Sequence, residues 1–163
     1  MSERYHRHSL IDWFSQEALA HTKAIVIGAG AVGNEVIKNL TLLGIGEIHV
    51  FDFDVIEEHN LTRSVLFREE HIGRSKAEVA AEQAAAMDAN VLVTGTNGDF
   101  WHELSFSELR ASDIVYCCVD NFEARIRSNT LCFLACVDFV NIGIDSRFSL
   151  IELFPFSRRQ QTA

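Results

Sequence analysis

One stretch, Ala24 to Leu43, limits the possible folds of this chain more than any other. It opens with Ala24, Ile25, Val26 and Ile27, an apolar run that reads as a short strand buried on both faces. Gly28, Gly30 and Gly33 follow in the spacing G-x-G-x-x-G. Val32, Val36, Leu40 and Leu43 then recur at roughly helical intervals, and Gly44 stands where a helix C-cap belongs. Strand, glycine turn and helix therefore come in the order that a phosphate-binding turn requires. Gly28 permits the turn off the strand. Gly30 removes a side chain where phosphate oxygens approach the backbone, and Gly33 lets the helix pack close to the sheet. The free N–H groups of the first helical turn then face the phosphates, helped by the positive end of the helix dipole.

The rest of the chain continues the alternation. Residues 47–54 alternate and end in Asp52 and Asp54, which reads as a second parallel strand with acids at its ligand-binding end. Residues 55–74 are polar and irregular, a length that usually signals function. Ser75 and Glu78 are spaced as a capping box for an alanine-rich helix running to Met87. Further strands are predicted over 90–96, 114–119, 139–144 and 150–154, with helices over 107–110 and 122–136 and a short one around Trp13 to Leu19. The fold class is α/β, a Rossmann-like doubly wound, mostly parallel sheet with helices on both faces. Residues 1–23 form an arm and short helix, 24–156 the nucleotide-binding domain, and 157–163 a polar tail.

Bulk properties exclude several classes. A formal charge of −9 argues against a nucleic-acid binder. No apolar run is long enough to span a membrane, and the charged N-terminus lacks a signal-peptide core, so the expected location is the cytoplasm. Cys117, Cys118, Cys132 and Cys136 make no C-x-x-C pair, so no zinc site is expected and buried reduced thiols are.

Asp52 lies where a dinucleotide fingerprint places its ribose acid, and a carboxylate there accepts both ribose hydroxyls. To that point NAD and ATP are served equally. Asp54, Asn60, Arg63 and Lys76 break the tie, because a triphosphate of about four negative charges needs fixed cations and usually Mg2+. Lys76 sits in a first helical turn, where the dipole disfavours a cation unless an anion compensates.

Four segments resemble successive motifs of the ThiF/MoeB/HesA family, the bacterial relatives of ubiquitin-activating enzymes. They are Asp52 to Asp54, His59 to Arg63, Gly73 to Lys76, and Cys118 to Arg125 with its Asp120-Asn121 pair. The Arg4 to Arg7 segment is similar to the family's N-terminal arm. The resemblance implies adenylation, with Mg-ATP, of the C-terminal carboxylate of a ubiquitin-like or sulfur-carrier protein or of a peptide. It implies that Gly28, Gly30 and Gly33 frame the nucleotide, that Asp52 holds the ribose, and that Asn60, Arg63 and Lys76 bind phosphates. Asp120 would hold Mg2+ with Asp54 nearby. Arg7 would reach the partner's site across a homodimer. The chain departs from the family by lacking paired C-x-x-C motifs and much of the half that meets the protein substrate, as a fragment or a reduced member would. Two other readings stand beside this one: a nucleotide-binding or dimerisation module that does not complete the reaction, and an NAD-dependent oxidoreductase.

Overall fold

The computed structural model describes residues 3–157. Its elements are α1 (Gln16–His21), β1 (Lys23–Ile27), α2 (Ala31–Leu43), β2 (Glu47–Asp52), α3 (Lys76–Met87), β3 (Leu92–Asn97), α4 (Phe100–Glu103), α5 (Phe106–Ala111), β4 (Ile114–Cys117), α6 (Phe122–Ala135), β5 (Asp138–Ile144) and β6 (Ser149–Phe154). The six strands form one sheet in the order β3-β2-β1-β4-β5-β6. The first five are parallel, and β6 runs antiparallel to β5. This is the doubly wound order, in which connections leave β1 in opposite directions and open a crevice between β1 and β4 at the carboxyl ends of the strands.

The period of two along β1 divides the core. Ala24 and Val26 face one side, packed with Ile48 and Val50 of β2, Ile37 and Leu40 of α2, and the alanines of α3. Ile25 and Ile27 face the other, with Phe51, Val115, Phe139, Leu109 of α5 and Cys132 of α6. Helices thus cover both faces, and the central strand is buried at four of its five positions. At the far edge β6 is open: Leu150, Ile151 and Leu153 are exposed.

Several boundaries differ from the sequence expectation. The buried residues of α2 are Gly33, Asn34, Ile37, Leu40 and Thr41, a face rotated from the Val32-Val36-Leu40-Leu43 stripe, with Gly33 set close against the Gly28 carbonyl. Leu43 is exposed, while Val32 and Val36 pack at the rim. β2 ends at Asp52, so Phe53 and Asp54 leave the sheet. α4, capped by the Asp99 carboxylate on the Trp101 N–H, carries too few residues for a periodic signal and was not expected. α1 starts only at Gln16, where the Ser15 hydroxyl caps the Ala18 N–H. α6 closes on Cys136 in the left-handed region at φ 58°, where a glycine is more usual. Apart from Ser157, the predicted polar tail lies outside the described residues.

The arm docks through Tyr5 and Arg4. Tyr5 is buried, and its hydroxyl donates to Asp88. Arg4 pairs through Nε with the same carboxylate at 2.8 Å and donates through Nη2 to the Met87 carbonyl at 2.6 Å. The other apolar residues of the arm pack less: Phe14 is half-buried, and Leu10, Ile11 and Trp13 are exposed, Trp13 at 84%. The anchor lies where α3 leads into β3, at the amino ends of the strands.

Candidate functional site

The carboxyl ends of β1, β2 and β4 open onto a cleft of about 1050 Å3. It brings together Gly28, Gly30, Asp52, Asp54, Asn60, Arg63, Lys76 and Asp120, eight of the ten residues singled out from the sequence. Gly33 and Arg7 are not among its lining residues.

The glycine turn is shaped by contacts a side chain would destroy. Gly28 has φ +94°, and a Cβ there would approach the Cys118 carbonyl oxygen to 3.0 Å. A Cβ on Gly33 would stand 1.9 Å from the Gly28 carbonyl oxygen, so Gly33 serves the approach of α2 to the turn rather than contact with a ligand. At Gly30 a Cβ would meet nothing within 4 Å, because the space in front of it belongs to the cleft.

Asp52, at the end of β2, accepts the Ala29 N–H on Oδ2 at 2.7 Å and the Asp54 N–H on Oδ1 at 2.8 Å. It therefore braces the glycine turn while facing the cleft. Burial pushes its carboxyl above the ordinary value; the two backbone N–H groups and the Lys76 charge pull the other way without offsetting it.

Lys76 finds the anion that its helix-start position demands. Its Nζ lies 2.8 Å from Asp54 Oδ2, with only 12% of the lysine side chain exposed. The backbone repeats the link, since the Lys76 N–H donates to the Asp54 carbonyl at 3.0 Å. Asn60 is buried, and its Oδ1 accepts the Glu57 N–H at 2.9 Å, which leaves Nδ2 as the group able to meet an anion. Arg63 is exposed and donates through Nη1 to the His59 carbonyl at 2.8 Å. Asp120 is exposed just beyond β4.

Arg125, present in the fourth motif without an assigned task, is the cation that organises this end of β4. It donates through Nη1 to Asn141 Oδ1 at 2.6 Å and to the Ile142 carbonyl at 2.7 Å, and through Nη2 to the Val119 carbonyl. The strand end carrying Asp120 is thereby tied to β5. Arg127 stacks over Trp101 at 4.8 Å and pairs with Glu123 at 2.5 Å. In all, Arg63, Lys76, Arg125 and Arg127 line the cleft against Asp52, Asp54, Asp99, Asp120, Glu123 and Asp145. Such a surface accepts a polyanion only together with a cation. Carboxylates such as Asp120 and Asp54, in a cleft roomy enough for phosphates, suit Mg2+, which takes one or two carboxylates plus substrate oxygens. Among the described residues no cluster of three His, Cys, Asp or Glu could hold a metal unaided.

The cysteines are poorly suited to take part in this chemistry. Cys117, Cys118 and Cys132 are buried and Cys136 is half-buried. Burial pushes the Cys118 and Cys132 thiols up to about 12. Cys118 borders the cleft, yet such a thiol is a poor nucleophile at neutral pH.

The profile of the ThiF family matches residues 4–149. The chain belongs to the ThiF family. It is 37% identical over 145 residues to SUMO-activating enzyme subunit 2 of Dictyostelium discoideum, an alignment covering 88% of this chain and 22% of that protein. It is 28% identical over 141 residues to the molybdopterin-synthase adenylyltransferase of Salmonella typhimurium, covering 85% and 57%. A solved structure, E. coli MccB with AMPCPP and MccA, superposes with a TM-score of 0.74 at 29% identity, covering 85% of this chain and 42% of that one. This ThiF-family chain thus spans from about a fifth to just over half of the length of these relatives.

Sequence reasoning missed one buried polar residue of the ThiF-family turn. Asn34 lies on the buried face of α2 at 0% exposure. The available signal was a carboxamide directly after Gly33, a position where an ordinary amphipathic helix would bury an apolar group.

Proposed function

We propose that the cleft binds ATP and serves adenylation of the C-terminal carboxylate of a ubiquitin-like or sulfur-carrier protein or peptide. The observation that carries this reading is the convergence on one cleft of the glycine turn, Asp52, the cations Arg63 and Lys76, and Asp120. An NAD site has use for the first two only. The names of the relatives, activating enzymes and an adenylyltransferase, support the same reading.

The chemistry follows from charge. The attacking carboxylate is already ionised at neutral pH, so no general base is needed. Its oxygen forms a bond to the α-phosphorus while the bond from that phosphorus to the bridging oxygen breaks, and pyrophosphate leaves with the electron pair. Arg63 and Lys76 neutralise charge on the departing phosphates, and the donor left on Asn60 orients them. Asp52 accepts from the ribose. Asp120 would hold Mg2+, with Asp54 lining the same cleft, and the ion would supply further neutralisation of the phosphates. Lys76 would exchange Asp54 for a phosphate, since the same Nζ serves both.

Arg7 is proposed to act on the site of a second copy. The arm is anchored at the amino ends of the strands by Tyr5 and Arg4, the end opposite its own cleft. Near it, Leu10, Ile11 and Trp13 present exposed apolar surface suited to a homodimer contact. Reduced, buried thiols suit the cytoplasm.

The test is thermal stabilisation. Mg-ATP at a hundred times its Kd should stabilise the folded chain by about 2.7 kcal/mol, and NAD at equal concentration should have no effect. Stabilisation by NAD and not by Mg-ATP would refute the reading.

A further inference from the structure

A carboxamide at 0% exposure is costly in a helix unless its donors and acceptor are all engaged, and those of Asn34 are. Its Nδ2 donates to the Ala29 carbonyl at 2.7 Å and to the Gly30 carbonyl at 3.1 Å. Its Oδ1 accepts the Leu66 backbone N–H at 2.9 Å. The first two partners belong to the glycine turn. The third belongs to the polar loop that also carries Asn60 and Arg63. One side chain therefore spans the two backbone segments between which a chain of phosphates would lie.

The same turn is held from its other side by Asp52, which accepts the Ala29 N–H. Ala29 is thus fixed at its N–H by the acid facing the ribose position and at its carbonyl by the link to the Arg63 loop. An apolar residue would satisfy packing at position 34, but it would orphan the buried Leu66 N–H and let the loop move independently of the turn.

We propose that Asn34 is a positioning residue that sets the separation between the glycine turn and the Asn60–Arg63 loop, and so lets the cleft favour a nucleoside triphosphate over the monophosphate. The inference rests on the nucleotide reading given above. AMP needs only the turn and Asp52. ATP needs those together with a loop at the right distance from its β- and γ-phosphates.

The test is titration of the full chain with ATP and with AMP, in the presence of Mg2+, by calorimetry. Asn34→Ala should weaken ATP binding by about thirtyfold and AMP binding by less than about threefold. Equal loss for both nucleotides, or loss for neither, overturns the inference while leaving the nucleotide reading in place. Failure of the unsubstituted chain to bind ATP overturns both. Should Asn34→Ala not fold, hydrogen exchange on the unsubstituted chain decides. ATP should slow exchange of the Leu66 amide by about tenfold or more beyond any effect of AMP. Identical exchange with the two nucleotides overturns the inference.

Discussion

Asp88 and Asp52 stand at opposite ends of the sheet and are treated oppositely by their surroundings. At the amino ends of the strands, burial pushes the Asp88 carboxyl up. The Tyr5 hydroxyl, the backbone and side-chain N–H groups of Asn90 and the Arg4 charge outweigh that, and its pKa ends below the ordinary value. At the carboxyl ends burial prevails, and Asp52 ends above it despite two backbone donors. The arm anchor is electrostatically finished: each charge has its partner within the chain. The cleft is unfinished. Asp120 is exposed, the exposed Arg63 donates to the His59 carbonyl, and Lys76 pairs with an aspartate that a phosphate could replace. A surface meant to bind a ligand retains the unmet electrostatic demand that a structural contact removes.

The largest expected effect lies at the unfinished end. Asp120→Ala should lower Mg-dependent ATP–pyrophosphate exchange by about a thousandfold or more. The change in thermal midpoint should be small, because an exposed side chain away from packing contributes little stability. Exchange near the unsubstituted rate would remove Asp120 from the machinery.

Arg7 links the two ends, being carried by the anchored arm while proposed to act at a partner's cleft. Arg7→Ala should reduce the adenylation rate by about a hundredfold, with a smaller loss of ATP affinity, because its charge matters most as pyrophosphate departs. Mixing Arg7→Ala with Lys76→Ala subunits should restore part of the activity, since one site of each mixed dimer is then intact. A mixture as inactive as either variant, after proven subunit exchange, would place Arg7 outside catalysis in trans.

The aspartate comparison itself is tested by pH. Asp88 has a depressed folded pKa, so its contribution is present above the unfolded carboxylate value, about 4, and is lost as pH falls through the folded value. Asp88→Asn should cost about 1–3 kcal/mol at pH 7 by chemical denaturation, and the deficit should shrink on acidification. Asp52 has the opposite sign: its charge costs stability above its raised folded pKa, and that cost vanishes below the unfolded value. Asp52→Asn should therefore compare more favourably with the unsubstituted chain at pH 7 than at pH 3. Parallel pH profiles for the two variants would erase the distinction.

The smallest effect concerns the thiols. Cys117, Cys118, Cys132 and Cys136 should not act as nucleophiles, and alkylation of the first three in the native protein should run at least about a hundredfold slower than in denaturant. Fast native labelling that ATP blocks would bring Cys118 into the site.

Much of this was legible because it is local. The glycine spacing, the strand before it and the helix after it announce one strand-turn-helix unit from residues 24–43. Lys76 stood out because a cation in a first helical turn requires a neighbouring anion, and Asp54 supplies it. Arg4 and Tyr5 were harder to read. A tyrosine and an arginine in a polar arm do not specify a carboxylate more than eighty positions away, and nothing local separates Tyr5, which is buried, from Leu10, Ile11 and Trp13, which are exposed. The capping of Glu57 by Asn60 was equally hidden, so a residue read as a pure phosphate ligand also holds its own turn.

By itself the sequence determined the element order and the polarity of the turn, since hydrophobic periodicity and glycine placement act over a few residues at a time. It also determined which side chains are chemically able to meet a nucleotide. Only the tertiary structure decided which of those share a cleft, that Arg7 is held away from its own, that Gly33 meets a carbonyl instead of a ligand, and that Asn34 bridges two segments more than thirty positions apart. Those outcomes depend on distances between distant parts of the chain, and such distances exist only once the sheet has been assembled and its faces covered.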